Sequence, residues 1–322
     1  MFTRNFLIEK KHTLCALIHN YFNRSNFHHL DSSPVSINNI TSRYIDNLTA
    51  KLRIGDEKNV YFHTSSELSM KNAIPFSHNN LYQISRCFRN KEKTPIHNPS
   101  FSMLEWYRSK SMLGEVINDA MNIIQKFYNL LIEESLNYKI ELKLLNMSKG
   151  FSKYLLRDLW IKYVNIDLSI ILEKLYLGDS QCLMRTATKL GLILPPGSSF
   201  DDIFSLIMSD VIAPKINTQN CIIFGWPSIQ SLCSRNQSLN NLFSERFEIY
   251  INGIEIGNGC NEITLPATQK AKISNTSILH GQTLVNLPNT KNISGVALGI
   301  DRLIISCLNL SDIRSLDSKL EF

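Results

Sequence analysis

The sequence has no pair of cysteines in C-x-x-C spacing. Its seven cysteines, Cys15, Cys87, Cys182, Cys221, Cys233, Cys260 and Cys307, are odd in number and scattered. That pattern argues against a zinc site and a disulfide framework and fits thiols kept in a reducing compartment. No apolar run approaches the ~20 residues needed to span a bilayer. The opening MFTRNFLIEKKH meets charge too soon after its short apolar patch for a secretory signal. The expected location is therefore cytoplasmic, with no membrane partner. A clustered basic stripe is also missing. The net charge is only +6, with lysines and arginines dispersed, an excess that suits a polyphosphate ligand or an acidic partner without indicating nucleic acid. Internal repeats and low-complexity linkers are absent as well.

What remains is a chain of 322 residues, 43% hydrophobic and 19% charged, enough for a large core. Leu14, Leu17, Ile18, Tyr21 and Phe22 recur at helical spacing and predict an amphipathic helix over 4–23, followed by an extended segment to Pro34. Strands are expected at 58–64, 80–90, 101–109, 221–224 and 294–298. Helices are expected at 67–73, 114–135, 201–211 (stopped by Pro214) and 301–308. Residues 246–262 predict a β-hairpin whose two-residue turn is Asn252-Gly253. Hairpins mixed with long helical stretches predict an α+β fold, a mainly antiparallel sheet flanked by helices. The chain reads as one domain over 1–322 with a helical insertion near 136–240.

Period-2 alternation puts chemistry on particular strand faces. In QISRCFR, Gln83, Ser85, Cys87 and Arg89 share a face. In FSMLEWY, Phe101, Met103, Glu105 and Tyr107 do. If both faces line one cavity, it holds an arginine for a phosphate or carboxylate, an aromatic plate for a purine, and a carboxylate and phenol for an ammonium. In the 246–262 hairpin, Tyr250 lies opposite Glu255, and Glu248 is diagonal to Glu255 on the same face. Such carboxylates repel unless a cation lies between them, and Mg²⁺ takes one or two carboxylates plus phosphate oxygens. The glycines of GNGCNE allow close approach to a ligand and bring Asn258 and Glu262 to the same region. In SGVALGIDRL, Gly299 permits nucleotide approach, Asp301 is the expected N-cap, and Arg302 falls in the first helical turn, where anions are favoured. Each feature taken alone is also compatible with a solvated strand face or a surface arginine.

Taken together these stretches resemble a known family. FRN…HNPSF…MLEWY is similar to the second signature motif of class II aminoacyl-tRNA synthetases of the lysyl subgroup, and SGVALGIDRL to the third. FHHLDSSP, ending at Pro34, resembles a degenerate first motif, the dimer-interface element. Thr64–Glu67 resembles the amino-acid-binding T-S-P-E loop. The expected first-motif helix starts almost at residue 1, leaving no room for an anticodon-gripping OB-fold, and Ala297 stands where lysyl-tRNA synthetases usually carry glycine. Both features look like the paralogous elongation factor P–lysine ligases.

The resemblance implies ATP as substrate, Mg²⁺, a homodimer, no stable tRNA binding, and transfer of (R)-β-lysine or lysine to a lysine side chain of elongation factor P. It assigns Arg89 and Arg302 to catalysis. Arg89, Asn90, Lys91, Glu92, His97, Asn98, Phe101, Glu255, Ile256, Gly299 and Arg302 would contact ATP, and Glu248 and Glu255 the metal. Ser65, Ser66 and Glu67 would meet the substrate's amino group, and Glu105, Tyr107, Asn258 and Glu262 its ε-ammonium. Departures from the family pattern are Lys91 for the Glu of FRNE, with Glu92 following it, Ser66 for Pro, Ser100 for Glu, and a short link from Glu262 to Ser294. A truncated lysyl-tRNA synthetase, or a protein that keeps the fold with impaired chemistry, are the alternative readings.

Overall fold

The computed structural model describes residues 3–37, 45–54, 56–77, 80–138, 150–217, 220–274, 287 and 292–316. The chain divides into two compact units, Met1–Met147 with Ile256–Phe322, and Ser148–Glu255.

The first unit opens with α1 (Arg4–Arg24), β1 (Phe27–His29), β2 (Val35–Ser36), β3 (Thr49–Ile54), β4 (Asp56–Phe62) and α2 (Glu67–Ala73). It continues with β5 (Asn80–Phe88), β6 (Ser100–Ser109) and α3 (Leu113–Tyr138). The second unit holds β7 (Ser152–Leu155), α4 (Leu156–Val164), α5 (Leu168–Tyr176), α6 (Cys182–Lys189), α7 (Phe200–Ile207), α8 (Ala213–Ile216), β8 (Cys221–Phe224) and β9 (Arg246–Ile251). The unit boundary falls inside β10 (Ile254–Asn261). After it come α9 (Pro266–Ser274), β11 (Ile293–Gly299) and α10 (Ile300–Cys307). Much of the link between Glu262 and Ser294 (275–286 and 288–291) lies outside the described residues.

In the first unit the strands run in the order β1, β5, β6, β11, β10; β1 pairs parallel with β5 and the remaining pairs are antiparallel. A separate three-stranded sheet, β2–β4–β3, was not anticipated from the sequence. In the second unit β9 pairs antiparallel with β8, and β8 parallel with β7. The expected α+β architecture, helices flanking a mostly antiparallel sheet, is what forms.

The helix α1 forms because Leu7, Leu14, Ile18 and Phe22 make one buried stripe, with Thr3 capping its N-terminus through Phe6 N–H. Phe22 stacks on Tyr82 of β5 at 4.7 Å, and Trp106 of β6 is fully buried beneath them. The stripe includes a charge: Lys10 is buried and pairs with Glu134 of α3. The second unit has its own core, in which Trp160 stacks on Phe204 at 5.4 Å. The turn at Asn252-Gly253 takes φ of 49° and 73°, the two left-handed residues that a tight hairpin turn requires.

Two local expectations are corrected. Pro214 does not end the helical stretch. A π-helical turn over Met208–Ile212 leads into α8, where Pro214 lies in the first turn and its missing N–H has no intrahelical bond to make. Asp301 is not the N-cap of α10. Gly299 is, and Asp301 lies within the first turn, buried, accepting from Ser102 N–H at 2.7 Å and pairing with Lys11 of α1. Its carboxylate therefore ties together three elements, α1, β6 and α10. Asp301→Ala leaves a buried N–H and an ammonium unmatched, and is expected to cost about 3 kcal/mol in urea denaturation; a loss under 0.5 kcal/mol would contradict this.

Candidate active site

Sheet register brings the expected ammonium-binding residues together within the first unit. One ladder row runs Gln83, Glu105, Ala297, Asn258; the next runs Leu81, Tyr107, Gly295, Cys260. Directly paired residues share a face, and residues two apart on a strand share it too. Glu105, Tyr107 and Asn258 therefore face one way; period 2 predicted this for Glu105 and Tyr107. Glu262 continues that side, its N–H bonded to Ile293 O at 2.8 Å. The close packing depends on Gly295: a Cβ there would lie 2.3 Å from the Tyr107 ring. Nothing in the strand pattern marked that glycine as the floor beneath Tyr107.

Above this face sits α2. Its starting N–H, on Ser66, donates to Glu105 Oε1 at 3.0 Å. The proline usual in the resembling loop could not make that bond, so the serine departure supplies a donor to a buried carboxylate. Ser65 Oγ accepts from Glu67 N–H at 3.4 Å. The residue that sequence reasoning missed is Lys71. Its side chain is 4% exposed, and its ammonium lies 2.6 Å from Glu67 Oε1 and 2.7 Å from Glu262 Oε2, 5.9 Å from the Tyr107 ring centre. The contact to Glu262 is an ion pair without hydrogen-bond alignment. The i, i+4 spacing from Glu67 on a helix was the available signal.

Two carboxylates, Glu67 and Glu262, thus share the Lys71 ammonium, and Glu105 lies close by. Burial pushes the Glu105 carboxyl up to about 8, the charge of Glu67 adds to this, and the Ser66 N–H and Lys71 oppose it. Burial also raises Glu262, against the pull of Lys71, and raises the Tyr107 phenol well above its ordinary value. Glu105 Oε2 is buried without a hydrogen-bond partner among the described residues. An oxygen in that state is poised for a cation.

At the other end of β5, Arg89 stacks over Phe101 at 5.0 Å, and its Nε reaches Thr64 O at 3.4 Å. Asn90 N–H bonds to Asp46 O at 2.8 Å. Lys91 adopts φ of 63° and points out to Asp46, 2.6 Å away. That left-handed residue lies in a turn beyond the end of β5, and Glu92 after it is 3.7 Å from Arg89. His97 is held by Thr94, its Nδ1 2.7 Å from the hydroxyl, and Arg302 Nε donates to Ile96 O at 3.3 Å, next to it. Gly299 precedes Arg302 as the helix cap. Asn98 is half-buried after His97, Ser100 bonds Arg86 Nε at 2.7 Å, and Ile256 is buried in β10.

In the second unit, Glu248 is buried and accepts from Arg246 Nη2 at 2.6 Å and Tyr250 OH at 2.5 Å. Burial first, then the neighbouring charge of Glu255, pushes its carboxyl up to about 8, with Arg246 and Tyr250 opposing. Arg246 was also missed, although it precedes Glu248 by two on one strand face. The remaining repulsion between two hard-oxygen carboxylates fits Mg²⁺, which needs no third protein ligand when phosphate oxygens complete its shell. Among the described residues no larger cluster of metal-binding side chains exists, no helix is long and apolar enough to cross a membrane, and none of the cysteines is disulfide-bonded.

A family profile described as tRNA synthetases class II (D, K and N) matches residues 3–317. The chain belongs to that family. It is 28% identical over 272 residues to an elongation factor P–(R)-β-lysine ligase of Proteus mirabilis, covering 79% of this chain and 75% of the relative. It is 26% identical over 324 positions to the ligase of that name from Buchnera aphidicola, covering 94% and 92%. For the Haemophilus influenzae ligase the values are 25% over 326 positions, 96% and 93%. The family resemblance read from the motifs therefore holds, and it extends through both units.

Two outcomes are expected at the ammonium face. An ammonium ligand pairs only with ionised Glu105, whose proton is held up to about pH 8 in the free protein. Binding should therefore release protons near neutrality and tighten as pH rises from 6 to 8, levelling above that. Calorimetry of lysine binding in buffers of different ionisation enthalpy checks this, and proton uptake would contradict it. Gly295→Ala should push the Tyr107 ring aside, costing about 1–3 kcal/mol of stability and weakening lysine binding, measured by denaturation and titration.

Proposed function

We propose that this chain uses ATP to activate (R)-β-lysine or lysine as an adenylate and transfers the aminoacyl group to a lysine side chain of elongation factor P. It would do so as a cytoplasmic homodimer without stable tRNA binding, with both units belonging to one synthetase-type catalytic domain. The observation that carries the substrate class is the buried Glu105 Oε2, without a hydrogen-bond partner among the described residues, beside Glu67 and Glu262, which share Lys71. Such a site favours a ligand bearing ammonium groups. The relatives' shared name supports the acceptor.

In the activation step the substrate carboxylate oxygen attacks the α-phosphorus in line. An O–P bond forms, the bond to the bridging oxygen breaks, and pyrophosphate leaves. Arg89 would neutralise the attacked phosphate while holding the carboxylate, and its place over Phe101 supports adenine stacking beside it. Asn90, Glu92 and Asn98 would lie along the nucleotide, with Glu92 taking the place that Lys91 vacates. His97 and Arg302, brought near each other by the 94–97 turn, would meet the distal phosphates. Glu248 and Glu255 would hold Mg²⁺, which would supply further charge neutralisation on the phosphates. Ile256 and Gly299 would offer backbone to ATP. Ser65, Ser66 and Glu67 would hold the amino group, and Glu105, Tyr107, Asn258 and Glu262 the side-chain ammonium.

In the transfer step the acceptor's neutral ε-amine attacks the acyl carbon, an amide forms, AMP leaves and the amine loses a proton. The Ala297 methyl, between Asn258 and Glu105 on the ladder, would narrow the floor beneath the bound substrate, where a glycine would leave more room. Such a contact discriminates by about 1–3 kcal/mol.

ATP–pyrophosphate exchange with β-lysine and with lysine tests activation. Arg89→Ala and Arg302→Ala should each lower it by at least about 10²-fold, and unchanged rates would reject those roles. Labelled transfer to tRNA and not to elongation factor P would favour a truncated synthetase. A folded protein that binds ATP but exchanges with neither amino acid would mark impaired chemistry.

A further inference from the structure

Lys71 has no part in the reaction above, yet it stands among the groups assigned to the substrate. Its position is set locally: α2 places it one turn after Glu67, and its ammonium spans from Glu67 to Glu262 with the side chain 4% exposed. Burying Glu262 and Glu105 together is unfavourable without compensating cations. Lys71 answers for part of that charge. The acceptor it leaves empty belongs to Glu105, whose Oε2 has no hydrogen-bond partner among the described residues. A ligand ammonium can therefore enter at Glu105 and Tyr107 without removing Lys71. Lys71 is thus shared by Glu67 and Glu262, and the unmatched oxygen of Glu105 stands beside them.

Resting on the substrate reading above, we propose that Lys71 is a resident counter-ion that holds Glu67 and Glu262 in place while the ligand's ammonium enters at Glu105. It is a positioning and specificity-determining residue. A mobile placeholder would differ: it would occupy the ligand's own position and compete with it. Removing a mere competitor tightens binding, whereas removing the resident counter-ion loosens it, because Glu262 and Glu67 lose their fixed partner.

The test is equilibrium binding of lysine and (R)-β-lysine to the full chain by calorimetry, with ethylammonium as an added probe. Lys71→Ala is expected to weaken both by about tenfold, equivalent to ~1.4 kcal/mol. Millimolar ethylammonium should restore that binding by refilling the vacated position, and should not do so in the unsubstituted protein. Binding unchanged or tighter in Lys71→Ala, or ethylammonium competing with lysine instead of restoring it, overturns the proposal. Should Lys71→Ala not fold, Lys71→Arg decides. It keeps the charge and should bind lysine within about threefold of the original; a folded Lys71→Arg that binds no lysine also overturns the proposal. Failure of the unsubstituted chain to bind either amino acid would instead remove the substrate reading itself.

Discussion

Carboxylates in a protein interior need cations, and the first unit is arranged around that need. Glu105 and Glu262 are almost wholly buried, and Glu67 stands beside them. Moving such groups out of water costs several kcal/mol each unless charge and hydrogen bonds replace the solvent. The fold replaces it only partly. Ser66 N–H serves one oxygen of Glu105, and Lys71 serves Glu67 and Glu262. The α2 start and the sheet face are thereby fixed against each other. The shortfall at Glu105 is the feature on which the proposed ammonium site rests.

The same logic recurs with different partners. Glu248 is buried against Arg246 and Tyr250, yet Glu255 keeps its carboxyl raised. Two units thus each hold a partly compensated acidic set, one suited to ammonium groups and one to a hard metal ion. Asp301 shows the contrasting structural use of a buried carboxylate. Lys11 and Ser102 N–H satisfy it, and it anchors α1, β6 and α10. Incomplete compensation separates the candidate binding carboxylates from the structural one.

Much of this was legible in the chain. Alternation alone put Glu105 and Tyr107 on one face of β6, and register then set Asn258 in the same row as Glu105. The Asn-Gly turn was certain from its conformational demand. Short-range rules failed where a distant group decided the outcome. Asp301 looked like a cap, but Ser102 N–H and Lys11 compete for it. Pro214 looked like a stop, but a π-helical turn carried the helix onto it. Lys91 departs from the FRNE pattern, and its left-handed backbone brings Glu92 to 3.7 Å from Arg89.

The sequence by itself determined which side chains share a strand face, because the two-residue period of a strand is a property of the backbone. It also carried the second and third motifs, whose spacing is local. Only the tertiary structure decided that Lys71 reaches Glu262, that Gly295 lies under the Tyr107 ring, and that Glu105 keeps one oxygen unmatched. Those facts depend on which strands become neighbours and how closely they pack. Burial and unmatched charge are properties of the assembled interior, and no local pattern of residues encodes them.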